Sequence, residues 1–563
     1  MNSTLGGIIL SAIIGVLLFF VIIGPAPLDP TNIAWIQGYD PPMFFLGWHE
    51  YRQSPWMWPI AYNPGYGMEQ GSSILFTDSI PLLAMLLKPF DALMPEVFQY
   101  FGWWFLLCFV LQAVFSNLIL SIWVSDWRLR LLGVAFFVTA PPMIFRTVTP
   151  EASHFTLVSH WQILAALWLC LRPTETGRVV GWLALAFIGI TTHPYILTMT
   201  MALWVTDLFR RRLVLGRGGW KSFLGEGIAM GVFSGAVVLA TGIFEPPRIQ
   251  SMSGIVGFMD TGGLGKYPVN LVTFFNSYGW SYVLPAIPGW GSDYEGFAYP
   301  GLGGLILVLV ALALLPGALR DHRPSRTWWP IVVMLVALCI FAIGINVIFG
   351  PWHLFTYHWP QPFWTLGFVF RATGRYVWPL FYVVLALAVV IVATRLPRRP
   401  AIALLSALFL VQVVDTHAGW GTLRKTYDRV GSEWVTRMDS PFWAEAAKRY
   451  TKVRSSPVGR DPYRYDAKAY FAIMNGLDTD AVHIARRSNA AVAHISDILE
   501  SSIASGDWAD DTLWFLDADT ARRVVPTVDR SRDVLVEVDG FIVLAPGWAA
   551  CGECPQPPSF PRY

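Results

Sequence analysis

The sequence predicts a mainly α-helical, polytopic membrane protein of about eleven spans with a small C-terminal α/β domain. Three observations predict it. Of 563 residues, 54% are hydrophobic and only 14% charged, a balance in which lipid solvates most of the chain. Apolar runs recur at roughly the 18 residues or more that a helix needs to cross a hydrocarbon core of about 30 Å. Past His417, charges become frequent and such runs stop. The formal net charge of +2 is too small for a nucleic-acid binder, so no nucleic acid is expected as a partner.

The first span, Leu5 to Gly24, has no charge. An MNST start without Lys or Arg, and GPAPLDP after the run, point to an uncleaved anchor rather than a signal peptide. Lys and Arg near span ends stay on the cytoplasmic side. The basic clusters are Arg128 and Arg130; Arg172 and Arg178; Arg210 to Arg212, Arg217 and Lys221; Arg320, Arg323 and Arg326; Arg395, Arg398 and Arg399. Spans near 5–24, 97–125, 131–145, 153–171, 179–192, 194–209, 222–244, 301–319, 328–349, 375–394 and 401–416 place every cluster inside. Residues 179–209 must then form a hairpin of two short helices, broken at Pro194 in TTHPY. Residues 74–94, which carry Asp78, Pro81, Lys88 and Asp91, read as a surface-lying or re-entrant helix.

This topology leaves outer loops at 25–96, 245–300 and 350–374, where Asp29, Asp40, Glu50, Glu69, Asp78, Asp260, Asp293 and Glu295 gather. The Gly-, Pro- and aromatic-rich middle loop suits either a mobile cover over a site or a surface loop at the membrane. Residues 417–563 follow an outward crossing. SPFWAEAAKRYTKV reads as a helix, and DTLWFLDA and DVLVEVDGFIVLAP as strands, of an extracytoplasmic α/β domain. Cys551 and Cys554 in CGEC fit a disulfide in an oxidising compartment or half a metal site. Cys108, Cys170 and Cys339 lie in apolar runs as packing residues.

Three stretches carry candidate chemistry. Asp40, flanked by aromatics and prolines near the membrane surface, is a carboxylate whose environment can tune it as a general base, or a helix-capping acid. Arg371 and Arg375 in FVFRATGRYVWPLFY are four apart, so on one helix they share a face and form a fork for phosphate oxygens. The alternatives are interfacial snorkelling and ion pairs with the outer-loop acids. In RTVTPEASHFTLVSHWQIL, Arg146, Glu151, His154 and His160 meet at an outer turn, where Glu151 and His154 could bind acceptor, phosphate or metal; the six-residue spacing of the histidines is poor for a zinc site. His193, His353 and His358 read as polar lining on the outer side.

An acid soon after span one, an arginine motif near a late span and an outward C-terminal domain together resemble the GT-C superfamily of membrane glycosyltransferases. Its relatives include oligosaccharyltransferases, protein O-mannosyltransferases and aminoarabinose transferases. GYDPPMFFLGW, NPGYGMEQGSSILFTDSIPLLA, HFTLVSHWQILAAL and FRATGRYVWP are similar to a bacterial GT-C-like family without assigned substrates, related to the YfhO-like group. The resemblance implies a protein of the bacterial inner membrane that moves a sugar from a polyprenyl-phosphate donor to an extracytoplasmic glycan or lipid acceptor, with inversion. Asp40 matches the base, and Arg371 and Arg375 match the donor-phosphate contacts; Glu69, Asp78, Glu151, His154 and His193 would line the substrate pocket. Some GT-C enzymes carry paired acids for a divalent metal, and the first two outer loops here have no adjacent DD, DE or DxD set. A metal therefore has only the resemblance behind it. The rival readings are a flippase or transporter for lipid-linked glycans, which usually shows broken helices or repeated halves, and a non-catalytic scaffold.

Overall fold

The computed structural model describes residues 4–70, 72–147, 149, 152–242, 264–321, 325–457, 465–484, 489–552, 554 and 555. The chain divides into two compact units. Met1–Trp35, Gln99–Val238 and Met259–Val430 form the first; Ile36–Phe98, Leu239–Phe258 and Gly431–Tyr563 form the second. Asp260, Glu151 and residues 245–263 of the expected cover loop lie outside the described residues.

Seven helices among the described residues are long and apolar enough to cross a membrane: Leu5–Ile22, Phe101–Leu120, Trp220–Thr241, Leu302–Arg320, Arg326–Ile343, Thr373–Arg395 and Arg398–Tyr427. The four other expected spans are shorter helices. The run at 131–145 breaks into Trp127–Val138 and Pro141–Ile144, because a residue before proline is pushed out of the helical region and Ala140 takes ψ 115°. The run at 153–171 becomes a 3-10 turn, Phe155–Val158, and the helix Trp161–Leu171. Residues 179–209 do form two helices, Arg178–Ile190 and Pro194–Phe209. His193 starts the second, its ring accepting the Tyr195 N–H at 3.2 Å, with Pro194 in the first turn, where its missing N–H costs nothing.

Helices of the first unit pack backbone to backbone through glycine. Gly303 faces Leu408, and a methyl group there would lie 2.1 Å from the Leu408 carbonyl oxygen; membrane helices use small residues for such close approach. Beside it the buried Gln412 side chain donates to Pro300 O at 2.8 Å and accepts the Gly304 N–H at 3.0 Å. On the outer side, the segment expected as a loop at 350–374 contains a strand, Trp352–Thr356, paired antiparallel with Asn346–Phe349, and a helix, Gln361–Val369. Buried Asn270 donates to Asp293 Oδ2 at 2.6 Å and to Gly350 O at 2.9 Å, tying this hairpin to the 3-10 turn Asp293–Gly296.

In the second unit, residues 431–563 form a five-stranded sheet in the order Asp478–Thr479, Lys452–Ser455, Thr512–Leu516, Phe541–Ala545, Val534–Val538. The first three strands are parallel and the last two close as an antiparallel hairpin. Alternation along Thr512–Leu516 sends Leu513 and Phe515 into one apolar core and Trp514 and Leu516 into another. The hairpin turns at Asp539 and Gly540, both at positive φ, the chemistry a two-residue turn requires. Cys551 and Cys554 form a disulfide. The stretch 74–94 resolves into short pieces: 3-10 turns Ile74–Phe76 and Lys88–Leu93 around the helix Pro81–Leu87.

The glycine contact makes a direct test. Gly303→Ala should lower the thermal midpoint of the detergent-purified protein by an amount matching an overpacking cost of about 1–3 kcal/mol. Gly225→Ala, where nothing lies within 4 Å, should leave the midpoint unchanged or slightly raised.

Candidate functional site

The first unit buries two arginines on one carboxylate. Arg146 follows the Pro141–Ile144 turn, Glu295 sits in the Asp293–Gly296 turn, and Arg375 in the 3-10 turn Thr373–Val377. Arg375 grips Glu295 bidentately, Nε to Oε2 at 2.9 Å and Nη2 to Oε1 at 2.6 Å. Arg146 donates from Nη1 to Glu295 Oε2 at 2.5 Å and from Nη2 to the Glu295 carbonyl at 2.8 Å. All three are buried, and planar forks of this kind give the strongest charge-assisted hydrogen bonds. Burial alone pushes the Glu295 carboxyl up; the guanidiniums of Arg375 and then Arg146 reverse this and hold it below the usual carboxylate range.

Backbone contact sets this geometry. Gly374 lies against Gly296, where a methyl group would be 3.0 Å from the Gly296 Cα, and the Gly374 N–H donates to Tyr267 O at 3.0 Å. Aromatic faces surround the cations, with Tyr195 4.6 Å from the Arg375 guanidinium and Trp378 5.1 Å from that of Arg146. His154 Nε2 stands 4.0 Å from Glu295 Oε1, its side chain a quarter exposed. The His193 ring is 6.5 Å from that of His154, and burial, followed by the Arg375 charge, pulls its pKa well down.

Arg371 and Arg375 do not share the face of one helix. Arg371 falls between the helix Gln361–Val369 and the 3-10 turn Thr373–Val377, where Ala372 at φ −84°, ψ 63° has left the helical region. Arg371 is exposed, 5.4 Å from the Tyr267 ring, which meets Tyr294 edge-on at 6.3 Å. A line of contacts therefore runs from an exposed guanidinium through two tyrosines to the buried carboxylate. Two guanidiniums against one carboxylate leave a positive excess inside, and Arg371 adds a third cation at the rim.

The other predicted residues lie in the second unit. Asp40 precedes the helix Pro41–Gln53, and its side chain accepts no capping bond, because Pro41 and Pro42 supply no N–H in the first turn. Glu50 is on the same helix, packed against Gly65. Burial pushes its carboxyl up to about 7, and Asp478 adds in the same direction. Glu69 is ion-paired with Arg454, Oε1 to Nη2 at 2.5 Å, and Arg454 Nη1 also donates to Asp480 Oδ2 at 3.0 Å. Asp78 is partly buried and holds φ at 53°, a left-handed conformation that concentrates at functional sites.

The family described as a domain of unknown function (DUF6311) matches residues 12–417, and its C-terminal domain matches residues 442–546. The chain belongs to the DUF6311 family. No curated protein matches this DUF6311 chain in sequence. Among solved structures it is similar to the apo oligosaccharyltransferase of Archaeoglobus fulgidus, with 10% identity and a TM-score of 0.43, covering 85% of this chain and 64% of that one. It is also similar to the oligosaccharyltransferase AglB of the same organism in complex with an inhibitory peptide and a dolichol-phosphate, with 12% identity and a TM-score of 0.38, covering 93% and 71%. The chain thus spans just under two thirds of the first of these. Among the described residues, no three His, Cys, Asp or Glu side chains gather as a metal site.

Two substitutions test the electrostatics. Glu295→Gln leaves two buried guanidiniums without their anion and should cost about 3–5 kcal/mol of stability, read as a marked drop in thermal midpoint; an unchanged midpoint refutes the pairing. For Glu50, the folded pKa lies above the ordinary 4.5. Its stabilising contribution is complete below 4.5 and lost as pH rises to about 7. Glu50→Gln should therefore stabilise the protein at pH 8 and make little difference at pH 4, in parallel melts.

Proposed function

We propose that this chain is an integral-membrane glycosyltransferase of GT-C type that moves a sugar from a polyprenyl-phosphate donor to a glycan or lipid acceptor on the extracytoplasmic side. The observation that carries this reading is the cation-rich site: buried Arg146 and Arg375 share Glu295, and exposed Arg371 stands at the rim. A phosphate complements that charge, and preorganised cations stabilise the negative charge that develops on a leaving phosphate.

A second feature supports a lipid-borne donor. An apolar groove of about 720 Å³ runs along Pro194–Phe209 and the turn after it, against Trp329–Ile343, with Thr198, Val205, Phe209, Trp329 and Val333 among its walls. At one end the Thr198 hydroxyl shares a hydrogen bond of 2.7 Å with that of Tyr376, the neighbour of Arg375 in the chain. A greasy tail in this groove would bring its phosphate toward the cations.

In the reaction, Asp40 takes the proton of an acceptor hydroxyl while that oxygen bonds to the anomeric carbon of the sugar. The bond from this carbon to the phosphate oxygen breaks, its electron pair leaves with the polyprenyl phosphate, and the configuration inverts. Arg371, with Arg375, holds the phosphate. Glu151, His154 and His193 of the first unit and Asp78 of the second are the further substrate-contacting residues, while Glu69 is already paired with Arg454. The groove also favours one alternative, a flippase for lipid-linked glycans, because it follows most of a helix length.

Reconstituted full-length protein distinguishes them. Asp40→Asn should reduce sugar transfer from a polyprenyl-phosphate donor by about 100-fold or more while leaving donor binding intact. Arg371→Ala should weaken donor binding. Wild-type transfer by correctly folded Asp40→Asn removes the base, and lipid-linked glycan translocation without transfer favours the flippase.

A further inference from the structure

A second groove lies in the first unit, at the basic end of its spans. It opens between the helices Thr4–Ile22, Trp127–Val138 and Arg398–Tyr427, with a volume of about 480 Å³. Leu17, Leu132, Ala135, Ile402 and Phe409 make its walls apolar. On the third helix, Arg398, Ile402, Ser406 and Phe409 follow one face at three- and four-residue spacing, so the groove points toward the arginine end.

That end carries charge to spare. Trp127 and Arg128 both line the groove, the guanidinium of Arg128 4.9 Å from the Trp127 ring. The nearby acid, Asp126, caps the second helix by accepting the Arg128 N–H at 2.8 Å and is already paired with Arg398 at 2.6 Å. Exposed Arg128 and Arg399 have no acidic partner among the described residues. Apolar walls, a tryptophan at the mouth and excess cations beside it match one class of occupant.

We propose that this groove binds an acyl chain of an anionic phospholipid from the leaflet on the basic side, with Arg128 holding the lipid phosphate. The ligand is a diacyl lipid rather than the isoprenoid donor, and its site is built from other helices than the groove described above.

The test is a thermal-shift titration of the full chain in a neutral detergent with dioleoyl-phosphatidylglycerol, dioleoyl-phosphatidylcholine and glycerol 3-phosphate. Phosphatidylglycerol should act at about fivefold lower concentration than phosphatidylcholine for each arginine engaged, and glycerol 3-phosphate should have no effect. Arg128→Gln, at an exposed position, should erase the preference for phosphatidylglycerol. Ser406→Trp, which fills the groove from its exposed edge, should weaken the effect of both lipids. Equal action of the two lipids on the wild type, an intact preference in Arg128→Gln, or a response to glycerol 3-phosphate matching that of the lipid would overturn the proposal. Should Ser406→Trp fail to fold, the Arg128→Gln comparison decides alone.

Discussion

A carboxylate taken out of water is tolerable only if cations and hydrogen bonds replace its hydration, and Glu295 meets that demand with two arginines from distant parts of the chain. The rest of the outer face of the first unit follows from this. The Asp293–Gly296 turn must reach inward, the Thr373–Val377 turn must pack against it, and Asn270 must fasten the turn to the neighbouring hairpin. Glu295 cancels one of the two buried positive charges and orients both guanidiniums, so the pair is rigid yet retains an excess that an anion can answer.

The acids of the loops expected outside sort by partner. Asp29 accepts from Thr31, Asp293 from Asn270 and Tyr278, Glu69 from Arg454, and Glu295 from the arginines. An acid-rich surface that looked in sequence like a reservoir of catalytic groups is in large part structural fastening. Asp40 precedes two prolines, and its side chain makes no capping bond to the helix it begins.

Much of the architecture was legible. Apolar runs located the seven long helices, the HP step placed the short hairpin, and the strand-like runs DTLWFLDA and DVLVEVDGFIVLAP pointed to the C-terminal sheet. Short-range rules failed where long-range contact intervened. Four-residue spacing put Arg371 and Arg375 on one helical face, but the chain leaves the helical region at Ala372 between them. Ion pairing with the outer acids was one of the alternatives for these arginines. Glu295 could not be singled out, because it lies 80 residues from Arg375 and 149 from Arg146, a separation that periodicity does not bridge. The run at 131–145 looked continuous by hydropathy, although Pro141 and Pro142 divide it.

The Gly374–Gly296 crossing carries an implication for how such a protein can change over time. Beside the buried ionic knot, Gly374 lies against the Gly296 backbone and Gly296 against Val269, so a side chain at either position meets closely packed neighbours. Arg371 and Tyr267 stand outside that knot, one exposed and the other partly so. Diversification of the group recognised at the mouth can therefore proceed by altering these outer side chains, while the anchor beneath them stays fixed.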